Sequence, residues 1–184
     1  MTWNRIARRI RVPLGFAFAA FFLWLANPTL RFLALSLLLV VPGLLLRGYA
    51  AGYVKKNAEL TVTGPYAHTR NPLYLGSMLI AFGFALAARS LWIAVALAVL
   101  FAAIYIPVIR SEEEYLRSVF PDFDAYAARV PRLFPRLTPA ATAAEPGAFS
   151  GALYAKHREY NALMGAASLY AALILKMILL KIKA

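Results

Sequence analysis

Two polar stretches carry the side chains of this chain that could do chemistry. The first, residues 64–76, reads GPYAHTRNPLYLG. Pro72 suits the first turn of a helix, where its missing N–H costs nothing, and Asn71 suits the capping position before it. A helix that starts there offers free N–H groups to an anionic group such as a carboxylate, and Arg70 could grip the same group through two parallel hydrogen bonds. Tyr66, His68 and Tyr74 add hydrogen-bonding and stacking surface. The same residues would also serve as the ordinary belt of Tyr, Arg and His at the start of a membrane helix, and on these residues alone both readings stand. In the second stretch Arg110, Glu113, Glu114 and Arg117 recur at i, i+3, i+4 and i+7, so they share one helix face. One account is intrahelical ion pairing, worth about 0.2–0.5 kcal/mol per pair. The other is a carboxylate that binds hydroxyls or orients a nucleophile while Arg110 holds an anionic group. Charges leaving an apolar run are costly in lipid, which favours a water-lined or ligand-lined pocket. Farther on, residues 130–136 read VPRLFPR, a rigid basic strap that would fold over a site or bind lipid headgroups.

The elements that must position these residues are apolar. Residues 12–30 are uncharged and long enough to cross about 30 Å of hydrocarbon, with Asn27-Pro28-Thr29 as the turn at the far end. A second run, residues 32–46, continues to about residue 53 and holds Pro42-Gly43, which predicts a kink. Gly48 and Gly52 on it form a GxxxG spacing, read equally as close helix packing or as chance among small residues. Residues 72–88 and 91–109 are the third and fourth runs, separated only by Arg89-Ser90, so they form a tight hairpin that returns the two polar stretches to one membrane face. Residues 110–120 extend the fourth run as a helix, and a loop with Pro121, Pro131 and Pro135 follows. Residues 138–159 read as a linker. Residues 160–175 form a fifth run, read first as spanning, with Lys176, Lys181 and Lys183 reaching for the interface, and otherwise as lying partly in the interface. The fold expected is a single all-α polytopic membrane bundle of about five helices over residues 1–184. Residues 1–109 supply four of them, 110–137 a polar segment between the fourth and fifth, and 160–184 an additional C-terminal helix.

Composition agrees and excludes several classes. The chain of 184 residues is 62% hydrophobic, well above the about 45–50% of soluble domains. Its net charge of +12 lies mostly outside the apolar runs, so anionic headgroups explain it better than a nucleic acid does. Cysteine is absent, which removes disulfides and thiolate chemistry, and with two histidines no His-rich metal site is predicted. Arg5, Arg8, Arg9 and Arg11 before the first run resemble a signal peptide, but no small-x-small cleavage site follows and the helix is read as retained. The bias of Lys and Arg between loops places the N-terminus and both polar stretches in the cytoplasm. The short, compact, cysteine-free composition suggests a prokaryotic inner membrane as the setting.

GPYxxxRxPxY, an apolar hairpin, EExxL, and an aromatic-containing stretch closing on VPRxxP together resemble the isoprenylcysteine carboxyl methyltransferase family, within a wider group of membrane methyltransferases that includes the phospholipid N-methyltransferases. The resemblance covers residues 48–135, about half the chain. It implies a membrane enzyme that binds S-adenosylmethionine in a cytosolic segment and takes a lipophilic acceptor laterally from the bilayer. Gly64-Pro65-Tyr66, Arg70 and Tyr74 match the first block; Glu112, Glu113 and Leu116 match the acidic one; Tyr126 and Val130-Pro131-Arg132 match the closing strap. By that resemblance Arg70 holds the cofactor carboxylate, Glu112 or Glu113 binds ribose or the α-amino group, Arg110 positions the acceptor, and Tyr66, Phe120 and Tyr126 pack the adenine. Asn71 stands where the family has a histidine, with His68 as the expected replacement, and residues 120–123 read FPDF in place of FGxxY. An isoprenylcysteine-type carboxylate is the first acceptor expected. A phospholipid amine is the next, followed by an NADPH-dependent membrane reductase of similar architecture and a non-catalytic scaffold. Nothing in the sequence sets an oligomeric state.

Overall fold

The structure is a computed structural model that describes residues 19–55, 58–140 and 147–182. All regular secondary structure among these residues is helical. Helix α1 is seen over residues 19–25, and the expected run of residues 12–18 and the arginines before it lie outside the described residues. Helix α2 is Leu30–Ala51, α3 is Pro72–Ala88, and α4 runs unbroken from Leu91 to Val119. The short α5 (Phe123–Arg129) and α6 (Gly151–Lys156) precede the final helix, α7 (Tyr160–Ile182). Three of these, α2, α4 and α7, are long and apolar enough to cross a membrane, while α3 has 17 residues. The protein is thus an all-helical, multi-pass membrane bundle.

The turns follow from local chemistry. Arg89 closes α3 in the left-handed conformation (φ 52°), and the Ser90 hydroxyl accepts from the Ile93 N–H to start α4, so two residues reverse the chain as expected. Leu30 belongs to α2 rather than to the first run, and α2 stops at Ala51 instead of continuing to residue 53. The α4 helix widens into a π-helical turn at Phe101–Tyr105. Pro107 follows two residues on; in a regular α-helix its ring clashes with the carbonyl four residues back, and a wider turn relieves that clash.

The bundle core joins α1, α2, α3, α4 and α7: Phe22, Leu33, Val40, Phe84, Ile93 and Leu173 are buried together. Helices α2 and α3 touch backbone to backbone, because Cβ atoms added at Gly43 and Gly76 would each lie 2.8 Å from the other residue's carbonyl oxygen. The C-terminal helix is tied in along its whole length. Glu159 pairs with Arg47 at one end, Tyr170 bonds Ser36 (2.7 Å) midway, and Lys176 donates to the carbonyls of Leu23 and Trp24 at the other. That last cation meets the partial negative charge of a helix end.

The predicted linker is in part a packed element. Residues 141–146 lie outside the described residues, but 147–159 dock on the end of α2. Ser150 N–H donates to the Gly52 carbonyl (2.9 Å), and His157 Nδ1 lies 3.1 Å from the Ala51 carbonyl oxygen. The GxxxG pair serves this docking. A Cβ at Gly48 would meet the Tyr154 ring at 3.3 Å and one at Gly52 the Phe149 ring at 2.2 Å. The close packing it permits is thus against aromatic side chains, not against a second membrane helix.

Candidate functional site

The two polar stretches meet at one end of the bundle. The segment after α5 runs antiparallel to residues 67–71: Arg70 N–H donates to the Pro131 carbonyl (3.0 Å), Arg136 N–H to that of His68 (3.0 Å), and Ala140 N–H to that of Ala67 (2.9 Å). Buried Thr69, unremarked in the sequence, adds a hydroxyl bond to the Leu133 carbonyl at 3.0 Å. Tyr126 on α5 donates to the Tyr66 carbonyl (2.8 Å). Burial pushes the phenols of Tyr66 and Tyr126 well above their ordinary value, so Tyr126 remains a donor through ordinary alkaline pH. Underneath, Phe123, Tyr126, Val130 and Ala140 form a second small core. Both phenylalanines of the FPDF departure, Phe120 and Phe123, therefore support the strap from below.

Between this layer and the helices lies a cavity of about 690 Å³, inside the range of about 300–1,000 Å³ typical of small-molecule sites. Its wall includes Tyr66, Arg70, Asn71, Tyr74, Glu112, Glu113 and Tyr126 of the residues singled out in the sequence. Glu113 is buried and held from two sides. Arg70 Nη2 approaches its Oε1 at 3.2 Å, and Arg132 Nη2 its Oε2 at 2.8 Å. Arg70 also donates to the Ala127 carbonyl (3.1 Å), and its buried Nε has no hydrogen-bond partner. The carboxylate holds the Arg132 guanidinium still more firmly protonated than usual. Glu112 accepts from the Tyr74 hydroxyl at 2.8 Å. Asn71 stands at the capping position of α3, yet its side-chain amide donates to the Arg132 carbonyl (2.9 Å), so it does not cap the helix.

Four of the expected residues are placed elsewhere. Arg110 is exposed and is not part of the cavity wall. At about 100° per residue, Tyr105, Ile109, Glu112, Glu113 and Leu116 gather on one side of α4, and Arg110 lies roughly 115° from their mean direction. The face expected for Arg110, Glu113, Glu114 and Arg117 is therefore split, with Glu113 alone buried. His68, expected to replace the family histidine, bonds the Arg136 carbonyl (2.8 Å) and lines a separate apolar hollow. Phe120 packs into the small core, and Phe123 takes the place at the cavity. Arg132 reaches the site only through Glu113. The two groups expected at opposite ends of a cofactor, Arg70 and Glu113, are paired with each other.

The cavity also holds a pair not foreseen in the sequence, Arg47 of α2 and Glu159 at the start of α7. They are 112 residues apart, and no local pattern links them. The signal available was a lone arginine inside an apolar run, which marks a buried partner or a polar cavity.

Residues 46–122, which carry most of this wall, match the family model of the phospholipid methyltransferases. The nickel-cobalt-cadmium resistance protein NccN of Alcaligenes xylosoxydans is 44% identical over 84 residues, which are 46% of this chain and 39% of that protein. The cobalt-zinc-cadmium resistance protein CzcN of Cupriavidus metallidurans is 43% identical over the same number of residues, again 46% and 39% of the two chains. The chain thus spans about two fifths of the length of the curated relatives it matches. No solved structure matches it.

Proposed function

We propose that this protein is an S-adenosylmethionine-dependent methyltransferase, working at the cytosolic face of a membrane on a lipophilic acceptor. The observation that carries the reading is the cavity itself. Its wall lies largely in the segment that matches a methyltransferase family, and it gathers paired acids and bases beside the start of α3. The matched family favours a phospholipid-type amine as acceptor over the isoprenylcysteine carboxylate first expected.

The residues present fit such a cofactor. The half-buried Arg70 guanidinium, which lines the cavity, and the uncapped start of α3 form a cationic corner for a carboxylate. Glu112 faces the same space, where it would accept from ribose hydroxyls or an ammonium group. Tyr66, Phe123 and Tyr126 supply the flat apolar wall that a purine needs. Bound there, S-adenosylmethionine would supply a methyl group on a positively charged sulfur, already activated for displacement by a nucleophile. The protein's own task is alignment and exclusion of water, which the strap over residues 67–71 and the docked C-terminal segment perform. Tyr74 orients Glu112 through its Oε1, and the other oxygen is suited to receive the proton that an ammonium acceptor must lose.

The two relatives are named for resistance to nickel, cobalt, zinc and cadmium. The chain has no cysteine, and among the described residues no group of three His, Asp or Glu is placed to hold a metal. A contribution to such resistance would act through the modified membrane molecule. The test is a methyl-transfer assay on the purified full-length chain with labelled S-adenosylmethionine in liposomes. Label in an alkali-stable product of phosphatidylethanolamine is expected. Alkali-labile label on a prenylated cysteine would return the acceptor to a carboxylate, and no transfer to any lipophilic acceptor would contradict the reading.

A further inference from the structure

We propose that Arg47 is the docking point for the anionic group of the lipophilic acceptor, and that Glu159 of the C-terminal segment occupies that point until the acceptor enters. The inference rests on the methyltransferase reading and adds to it an acceptor subsite and a built-in competitor.

Arg47 sits in an apolar membrane helix, where a charge is retained for a purpose. Its guanidinium is fixed from behind by α3: Nη1 donates to the Leu73 carbonyl (3.3 Å) and to Ser77 Oγ (2.5 Å). Its orientation therefore does not depend on Glu159. The opposite edge, Nε and Nη2, faces the two carboxylate oxygens of Glu159 at 3.0 and 2.8 Å. Two parallel donors in one plane are what a carboxylate or a phosphodiester recognises, and Glu159 fills the place such a group would take. Arg47 and Glu159 line the same cavity as Arg70 and Glu112, so an anion held there lies in one chamber with the proposed methyl donor.

Glu159 is delivered by a short connection between α6 and α7 that is itself under tension. Arg158, directly before it, is held at φ 54°, a left-handed conformation that a non-glycine residue rarely adopts. Glu159 also lies outside the matched segment of residues 46–122, so the competitor comes from this chain's own tail. A ligand with two anionic oxygens replaces the carboxylate one for one. Glu159 then moves toward the open side of the cavity and the Arg158 backbone can relax.

Calorimetric titration of the full-length protein in neutral maltoside micelles tests this with three probes: lysophosphatidylethanolamine, laurate and inorganic phosphate. Glu159→Gln keeps the shape and removes the competing charge, and it is expected to bind one or both single-chain probes roughly tenfold tighter than the unaltered protein. A gain for the lysolipid assigns a phosphodiester, a gain for laurate a carboxylate, and either upholds the proposal. Arg47→Gln should lose that binding, and Arg47→Lys, which keeps the charge without the fork, should recover only part of it. If Glu159→Gln does not fold, the double Gln variant removes the pair without stranding a charge and should bind neither amphiphile. Unchanged or weaker binding in Glu159→Gln, binding that survives Arg47→Gln, or inorganic phosphate binding as tightly as the amphiphiles would each overturn it. S-adenosylmethionine titrated into the same samples separates the two claims. Amphiphile binding as expected without cofactor binding removes the methyltransferase reading and leaves the anion site.

Discussion

Glu113→Ala is expected to destabilise the protein by about 3–5 kcal/mol, the scale of breaking a buried ion pair on one side. The Glu113 side chain is 6% exposed and Arg70 is 12% exposed, so the substitution strands a guanidinium with little access to water. The loss should extend to cofactor binding, because Arg70 then reorients away from the corner at the start of α3. The two arginines are not equivalent. Arg132 is 48% exposed, and Arg132→Ala should cost only about 1 kcal/mol or less. The backbone bonds that hold the strap, including those to the Arg132 carbonyl, survive that change. Thermal unfolding in detergent reads the order directly: Glu113→Ala and Arg70→Ala far below Arg132→Ala.

A second large effect is expected at the α2–α3 seam. Gly76→Ala puts a methyl 2.8 Å from the Gly43 carbonyl oxygen and 3.3 Å from the Arg47 nitrogen, both backbone atoms that cannot swing aside. The helices must separate, at a cost of about 1–3 kcal/mol. The separation also pulls Arg47 from Leu73 and Ser77, whose bonds cross the same seam. Gly76→Ala should therefore lower both melting temperature and methyl transfer. Gly165→Ala is the control. That glycine on α7 has nothing within 4 Å of an added Cβ, and the gain in helix propensity should leave stability equal or slightly higher. Equal melting of both variants would contradict the close approach.

Much of the frame was legible because it rests on local rules. Pro72 and the Arg89-Ser90 turn bound α3 at the predicted residues, and the uncharged hairpin brings the two polar stretches together. The cavity wall then holds seven of the predicted residues, with Arg70 and Glu113 at its centre. What escaped depends on tertiary direction. Arg110 shares a helix with Glu113 at a favourable spacing, but only the packing of Ile109 and Leu116 decides which side of α4 faces inward. His68 is the natural replacement for the family histidine in sequence, and the short 3₁₀ turn at Gly64–Ala67 sends it to the other side. The Arg47–Glu159 pair joins α2 to the start of α7 across 112 residues of sequence, and no periodicity announces it. Gly48 and Gly52 announced close packing without saying what would pack.

The central claim is that the Arg70 corner of the cavity holds S-adenosylmethionine. Isothermal titration of the purified full-length protein with that cofactor, beside Arg70→Ala and with NADPH as the competing nucleotide, tests it most directly. Saturable one-to-one binding is predicted, weakened at least about tenfold by Arg70→Ala, with no heat from NADPH. Binding of equal strength in the two proteins, or of NADPH in place of S-adenosylmethionine, would contradict it.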